Sequence, residues 1–170
     1  MKNKTHNIII EIAKLPIKIL TKNLVILNAI KKDYKIFLSI KKPIFQVYIK
    51  FNKKINPFPN LKGGILPFRV DYYEGSISCK SPNLKGKINL FQKKAFLEIK
   101  NEISKPVQNF LRVVYSNMLL DKKGILIHSS SIIKNKKGYL FFGRSGSGKT
   151  TVSKSAIKKY EVVSDDISIT

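Results

Sequence analysis

The stretch Gly143-Arg144-Ser145-Gly146-Ser147-Gly148-Lys149-Thr150 has the form G-x-x-x-x-G-K-[ST] and constrains this chain more than any other. Its three glycines let the backbone turn N–H groups inward, so that several donors converge on one anion. Gly138 to Phe142 before it reads as a buried strand, and Lys149 to Lys159 after it reads as a helix. A helix starting there adds the positive end of its dipole, roughly half a charge, and its unpaired first-turn donors. Lys149 is then placed to reach the outer phosphates of a nucleotide, and the Thr150 hydroxyl to hold Mg2+. Tyr160 to Ser164 reads as a second short strand that delivers two carboxylates, Asp165 and Asp166. Carboxylates at a strand end beside phosphates hold a metal or orient a nucleophile. The pattern predicts a nucleoside triphosphate site.

Composition sets the frame around this loop. A chain of 170 residues, 43% hydrophobic and 10% aromatic, has the make-up of a globular protein. At this length it can bury about two-thirds of its unfolded surface. The single cysteine, Cys79, makes no intrachain disulfide and reads as a half-buried strand residue. The formal net charge of +23 invites a nucleic-acid or membrane reading, but Arg69, Arg112 and Arg144 are the only arginines. Nearly all the charge is lysine, the poorer group for bidentate recognition, and it is spread along the whole chain. It therefore reads as a solubility and background-attraction term, with no specific nucleic-acid partner and no membrane partner. The basic start Met1-Lys2-Asn3-Lys4 is followed by an apolar run that Glu11, Lys14 and Lys18 interrupt, without a small-residue cleavage site. No stretch approaches the ~20 apolar residues of a membrane span. These features predict a cytoplasmic protein.

Residues 1–103 read as strands: Asn7 to Ala13, Leu24 to Ile30, and the alternating Tyr34 to Ile40. In Ile44 to Phe51, Phe45, Val47, Ile49 and Phe51 point one way and Gln46, Tyr48 and Lys50 the other, the period of a half-buried strand. The prolines of Asn56 to Asn60 break the run, and Gly63-Gly64 marks a turn. Ile65 to Tyr72, Gly75 to Lys80, Lys87 to Phe91 and Ala95 to Lys100 complete an antiparallel, β-rich region. His6 and Arg69 read as surface residues of this region. Ser104 to Leu120 changes period, with Val107, Phe110, Leu111, Val114 and Met118 on one helical stripe and Ser104 as its cap. Domain boundaries are thus expected as a β-rich region over 1–103, a connecting helix over 104–121 and a nucleotide-binding core over 122–170. In that core, strands 125–133 and 138–142 pair as a hairpin that holds His128 near the mouth of the loop.

These residues carry a resemblance. Ile127-His128-Ser129-Ser130, then Tyr139 to Thr151 with its loop, then Val162-Val163-Ser164-Asp165-Asp166 resemble the HPr kinase/phosphorylase and ATP-dependent phosphoenolpyruvate carboxykinase superfamily. The specific element is the order: a histidine strand before the loop, and an aspartate pair about one helix after its lysine. The resemblance covers residues 122–168. It implies an α+β fold in which a phosphoenolpyruvate-carboxykinase-like P-loop core with a mixed sheet follows the β-rich region. It further implies ATP and Mg2+ as ligands, bound by Gly143, Arg144, Ser145, Gly146, Ser147, Gly148, Lys149, Thr150 and Thr151. Thr150 and Asp166 would hold the metal, and His128 and Asp165 would be catalytic, Asp165 as the base or orienter for an acceptor hydroxyl. In the carboxykinase branch the matching histidine and second aspartate surround a transition metal, so these roles can exchange.

Thr150-Thr151 after the lysine looks like the carboxykinases, whereas HPr kinases commonly carry serine then glutamate. Against that branch, the region before the loop is short for its substrate domain and lacks a set of arginines for a dicarboxylate. The expectation is therefore an HPr-kinase-like kinase acting on an unidentified protein or small-molecule acceptor, with a homo-oligomer allowed. A carboxykinase-like enzyme and a nucleotide-binding regulatory module are the alternatives. The resemblance also implies that Thr170 falls inside the next strand of a longer core.

Overall fold

The computed structural model describes residues 4–56, 68–144 and 146–170, and its chain divides into two compact units, Met1–Val114 and Tyr115–Thr170. The fold is mixed α/β and mostly strand. Among the described residues no helix is long and apolar enough to cross a membrane. Met1 to Asn3, Pro57 to Asn60, the Gly63-Gly64 turn, residues 65–67 and Ser145 of the loop lie outside the described residues.

In the first unit, strands β1 (His6–Ile12), β2 (Leu15–Thr21), β3 (Phe45–Phe51), β4 (Arg69–Tyr73), β5 (Ser76–Ser81), β6 (Leu84–Asn89) and β7 (Lys94–Ile99) form one sheet. Their order across it is β1-β2-β3-β7-β6-β5-β4. This sheet is not the antiparallel one expected: β2 and β3 run parallel, as do β3 and β7. Parallel neighbours need a crossover connection, and residues 24–30, expected as a strand, supply it as helix α1 (Leu24–Asp33). Asn23 decides this. Its side chain accepts from the N–H groups of Val25 and Ile26, satisfying first-turn donors that a strand would pair elsewhere. The alternating run over 34–40 likewise forms no strand. It makes a single turn of 3-10 helix, Lys35–Phe37, and one bridge from Leu38 to Ile10. The Lys41 ammonium and the Ser39 hydroxyl both hold the Glu11 carboxylate, tying this segment to β1. Those two bonds keep the Glu11 carboxyl below its usual range.

The alternation of β3 appears as expected, with Phe45, Val47 and Ile49 buried. Through the pairing register the same face continues across Ala95, Ile88 and Ile77. Helix α2 (Ser104–Leu120) buries the expected stripe, Val107, Phe110, Leu111, Val114 and Met118. Ser104 is its first residue rather than its cap, because the Val107 N–H donates to the Ile103 carbonyl. Phe110 lies under β6, where a Cβ on Gly86 would come within 2.3 Å of the Phe110 ring. Cys79 shares this covered face and is fully buried rather than half-buried. Burial, then the nearby Asp71 carboxylate, pushes its thiol up to about 12.

The second unit is built on β8 (Leu126–Lys134). On one side β8 pairs with β9 (Lys137–Phe142), through a two-residue turn in which Asn135 and Lys136 both take positive φ. On the other side it pairs with β10 (Glu161–Ser164) and then β11 (Ile167–Ile169). All these pairings are antiparallel, so the mixed sheet of this fold belongs to the first unit. Helix α3 (Lys149–Ala156) joins β9 to β10 and buries Lys149, Ser153 and Ala156 along one side.

The Gly86 site gives a direct check. Gly86→Ala is expected to cost about 1–3 kcal/mol by overpacking, read from the urea midpoint. On a Phe110→Leu background the same substitution should cost measurably less. Cys79 should not react with a thiol reagent at pH 8 until the chain unfolds, because the reactive thiolate is suppressed.

Candidate functional site

The register of β8 brings the three sequence-predicted pieces to one level. Phe142, the last residue of β9, pairs with Ser129, so the loop leaves the sheet beside His128. On the opposite edge Ser164 pairs with Ser131 and Ile167 with His128 in one register, the shift falling earlier, between Val162 and Ser164, and Asp165 and Asp166 form the bend that joins β10 to β11. The Ser129 N–H still reaches the Asp166 carbonyl at 3.0 Å. Loop, histidine and aspartates therefore converge on the middle of one strand.

Within the loop, Gly146 and Gly148 take φ of 81° and 86°, the left-handed region that side chains resist. Gly148 then serves as the cap residue of α3, and the N–H groups of the next residues, Lys149, Thr150 and Thr151, have no partner inside the helix. The Lys149 ammonium turns back and donates to the carbonyls of Gly143 and Arg144, both at 2.9 Å. An ammonium carries three donors, and these two carbonyls engage two of them. Lys149 is only 9% exposed. Burial of this charge is tolerable because two carbonyl dipoles already solvate it.

Two serines that sequence reasoning passed over hold this arrangement. The buried Ser130 hydroxyl donates to the Lys149 carbonyl at 2.8 Å, pinning the start of α3 to β8. Ser164 accepts from the N–H groups of Asp166 and Ile167 and donates to the Ile167 carbonyl at 2.6 Å, which closes the turn that presents the aspartates. The run Ser129-Ser130-Ser131 inside an apolar strand was the available signal, since small polar residues there imply a neighbour that needs hydrogen bonds.

His128 is held by Asp166 twice. Its Nδ1 lies 2.7 Å from the Asp166 carbonyl oxygen and 3.0 Å from the carboxylate Oδ1. Both are acceptors, so Nδ1 must carry the proton and Nε2 is left as the second functional nitrogen of the ring. Asp165, Thr150 and Thr151 are exposed at the edge of the site, as is Arg144. Ser145 lies outside the described residues.

Among the described residues no group of three or more His, Cys, Asp or Glu side chains could hold a metal alone. Mg2+ keeps several waters and takes one or two carboxylates together with substrate phosphates. Thr150 and the aspartates offer the hard oxygen donors it prefers. Comparison with protein-family models and with curated proteins gives no match to this chain.

Ser130→Ala should cost about 1–2 kcal/mol, since it leaves the Lys149 carbonyl without its buried donor. Hydrogen exchange read by mass spectrometry should show the loss concentrated in α3 and the loop, with β1 to β3 unchanged.

Proposed function

We propose that this chain binds ATP with Mg2+ and belongs to a phosphoryl-transfer enzyme of the HPr-kinase type, with the phosphoenolpyruvate-carboxykinase-like core that its motifs resemble. One observation carries the reading: Lys149, held by two loop carbonyls at the start of α3, faces a level of β8 where His128 and the aspartate pair also meet. The phosphates would be gripped by the loop amides and the remaining Lys149 donor. Thr150 and Asp166 would hold Mg2+, which would supply charge neutralisation to the phosphates.

In the reaction an acceptor hydroxyl attacks the γ-phosphorus, the bond from that phosphorus to the β–γ bridging oxygen breaks, and ADP leaves. The acceptor proton passes to Asp165. His128, locked with its proton on Nδ1, turns Nε2 to the acceptor or to the transferring group. Little covalent chemistry falls to the protein in such a step, so positioning and charge stabilisation do most of the work. The acceptor is a protein or small-molecule hydroxyl, and the setting is cytoplasmic.

Lys149→Ala is expected to abolish Mg·ATP binding measured by calorimetry, and equal affinities in mutant and wild type would remove the proposal. Asp165→Asn should leave the affinity within a few-fold and lower ADP release by roughly a hundredfold or more, the usual scale for loss of a general base.

A further inference from the structure

We propose that the open face of the first sheet is a binding platform for single-stranded nucleic acid, independent of sequence and separate from the loop of the second unit. The strand register assembles it from residues far apart in the chain. One face of the sheet is the apolar core, and the other carries Gln46, Tyr48 and Lys50 on β3, Phe96 and Glu98 on β7, and Lys85 and Lys87 on β6. One row across the strands reads Tyr48, Phe96, Lys87, Ser78, and the next reads Lys50, Glu98, Lys85, Lys80.

Tyr48 and Phe96 stack at 5.1 Å between ring centroids and 15° between planes. Phe96 borders a cleft of about 320 Å3 on this face, which Tyr48 also lines. Ser78, Gly86 and Lys87 line that cleft with it. Phe96 is 54% exposed, unusual for an aromatic in the middle of a sheet. A base laid against it would extend the existing stack, and base–aromatic stacking tolerates any sequence because every base has a π-face.

The charges around the rings fit the rest of such a ligand. Lys50 pairs with Glu98 at 2.8 Å, and Asp71 is taken by Arg69 and approached by Lys80. Lys87, beside the rings, has no acidic partner among the described residues. Lysines outnumber carboxylates on this face, so it attracts a polyanion, while the aromatic pair selects one that carries flat rings. Four strands at about 4.8 Å spacing give a platform about 14 Å wide, the scale on which sheet faces stack two or three bases. An acidic peptide would satisfy the lysines and leave Phe96 unused.

The test is fluorescence anisotropy of the full chain with a short labelled oligouridylate, at low and physiological salt. Binding should weaken with salt. Phe96→Ala should weaken it by roughly tenfold or more at fixed salt, and Lys87→Ser should flatten the salt slope by about one. Lys149→Ala, which removes the loop lysine, should leave the oligonucleotide affinity unchanged. That variant keeps failure here distinct from failure of the nucleotide site. No binding, equal binding by the Phe96→Ala and wild-type chains, or displacement of the oligonucleotide by polyglutamate at equal charge would each overturn the platform. Lys87→Ser changes only an exposed side chain, so its result stands even if the Phe96 variant folds poorly.

Discussion

A β-strand has two hydrogen-bonding edges, and β8 fills both. At the level of Ser129 each edge changes hands: β9 ends on one side, and the ladder with β10 and β11 is interrupted on the other. Backbone groups that leave a ladder must find partners elsewhere. Here the interruption is closed by Ser164 and by the bond from the Ser129 amide to Asp166. The loop on the opposite edge is closed by the Lys149 ammonium on two carbonyls. The features of the candidate site thus arise from one demand, that a strand's partners end without orphaned polar groups.

The same accounting explains which parts were legible beforehand. The loop, α2 and the β8–β9 hairpin announce themselves because their signals are local: glycines at fixed offsets, a helical stripe, two apolar runs either side of the basic segment 134–138. The error at residues 24–30 has the opposite character. A short apolar run reads equally well as a buried strand or a buried helix, and the Asn23 side chain decides it by capping the first turn. That segment as α1 makes the sheet mixed rather than antiparallel, so one cap residue bears on the topology.

At the site, the histidine and the aspartates could be picked out, but their relation could not. That Asp166 holds His128 by both its carbonyl and its carboxylate depends on a two-residue interruption of pairing, which no spacing rule contains. Ser130 and Ser164 were invisible for a related reason: their value lies in the backbone groups they reach. The face bearing Tyr48, Phe96 and Lys87 was equally hidden, because only the parallel pairing of β3 with β7 and the antiparallel pairing of β7 with β6 make these residues neighbours.

The turn closed by Ser164 has a consequence for recognition. Its hydroxyl already engages two amides and a carbonyl, so the acidic corner is ordered before any ligand arrives. Conformational freedom there is surrendered during folding, and the encounter with a ligand need not supply it again. A rigid corner of this kind favours partners whose charge spacing already matches it, and rejects those that would require it to move.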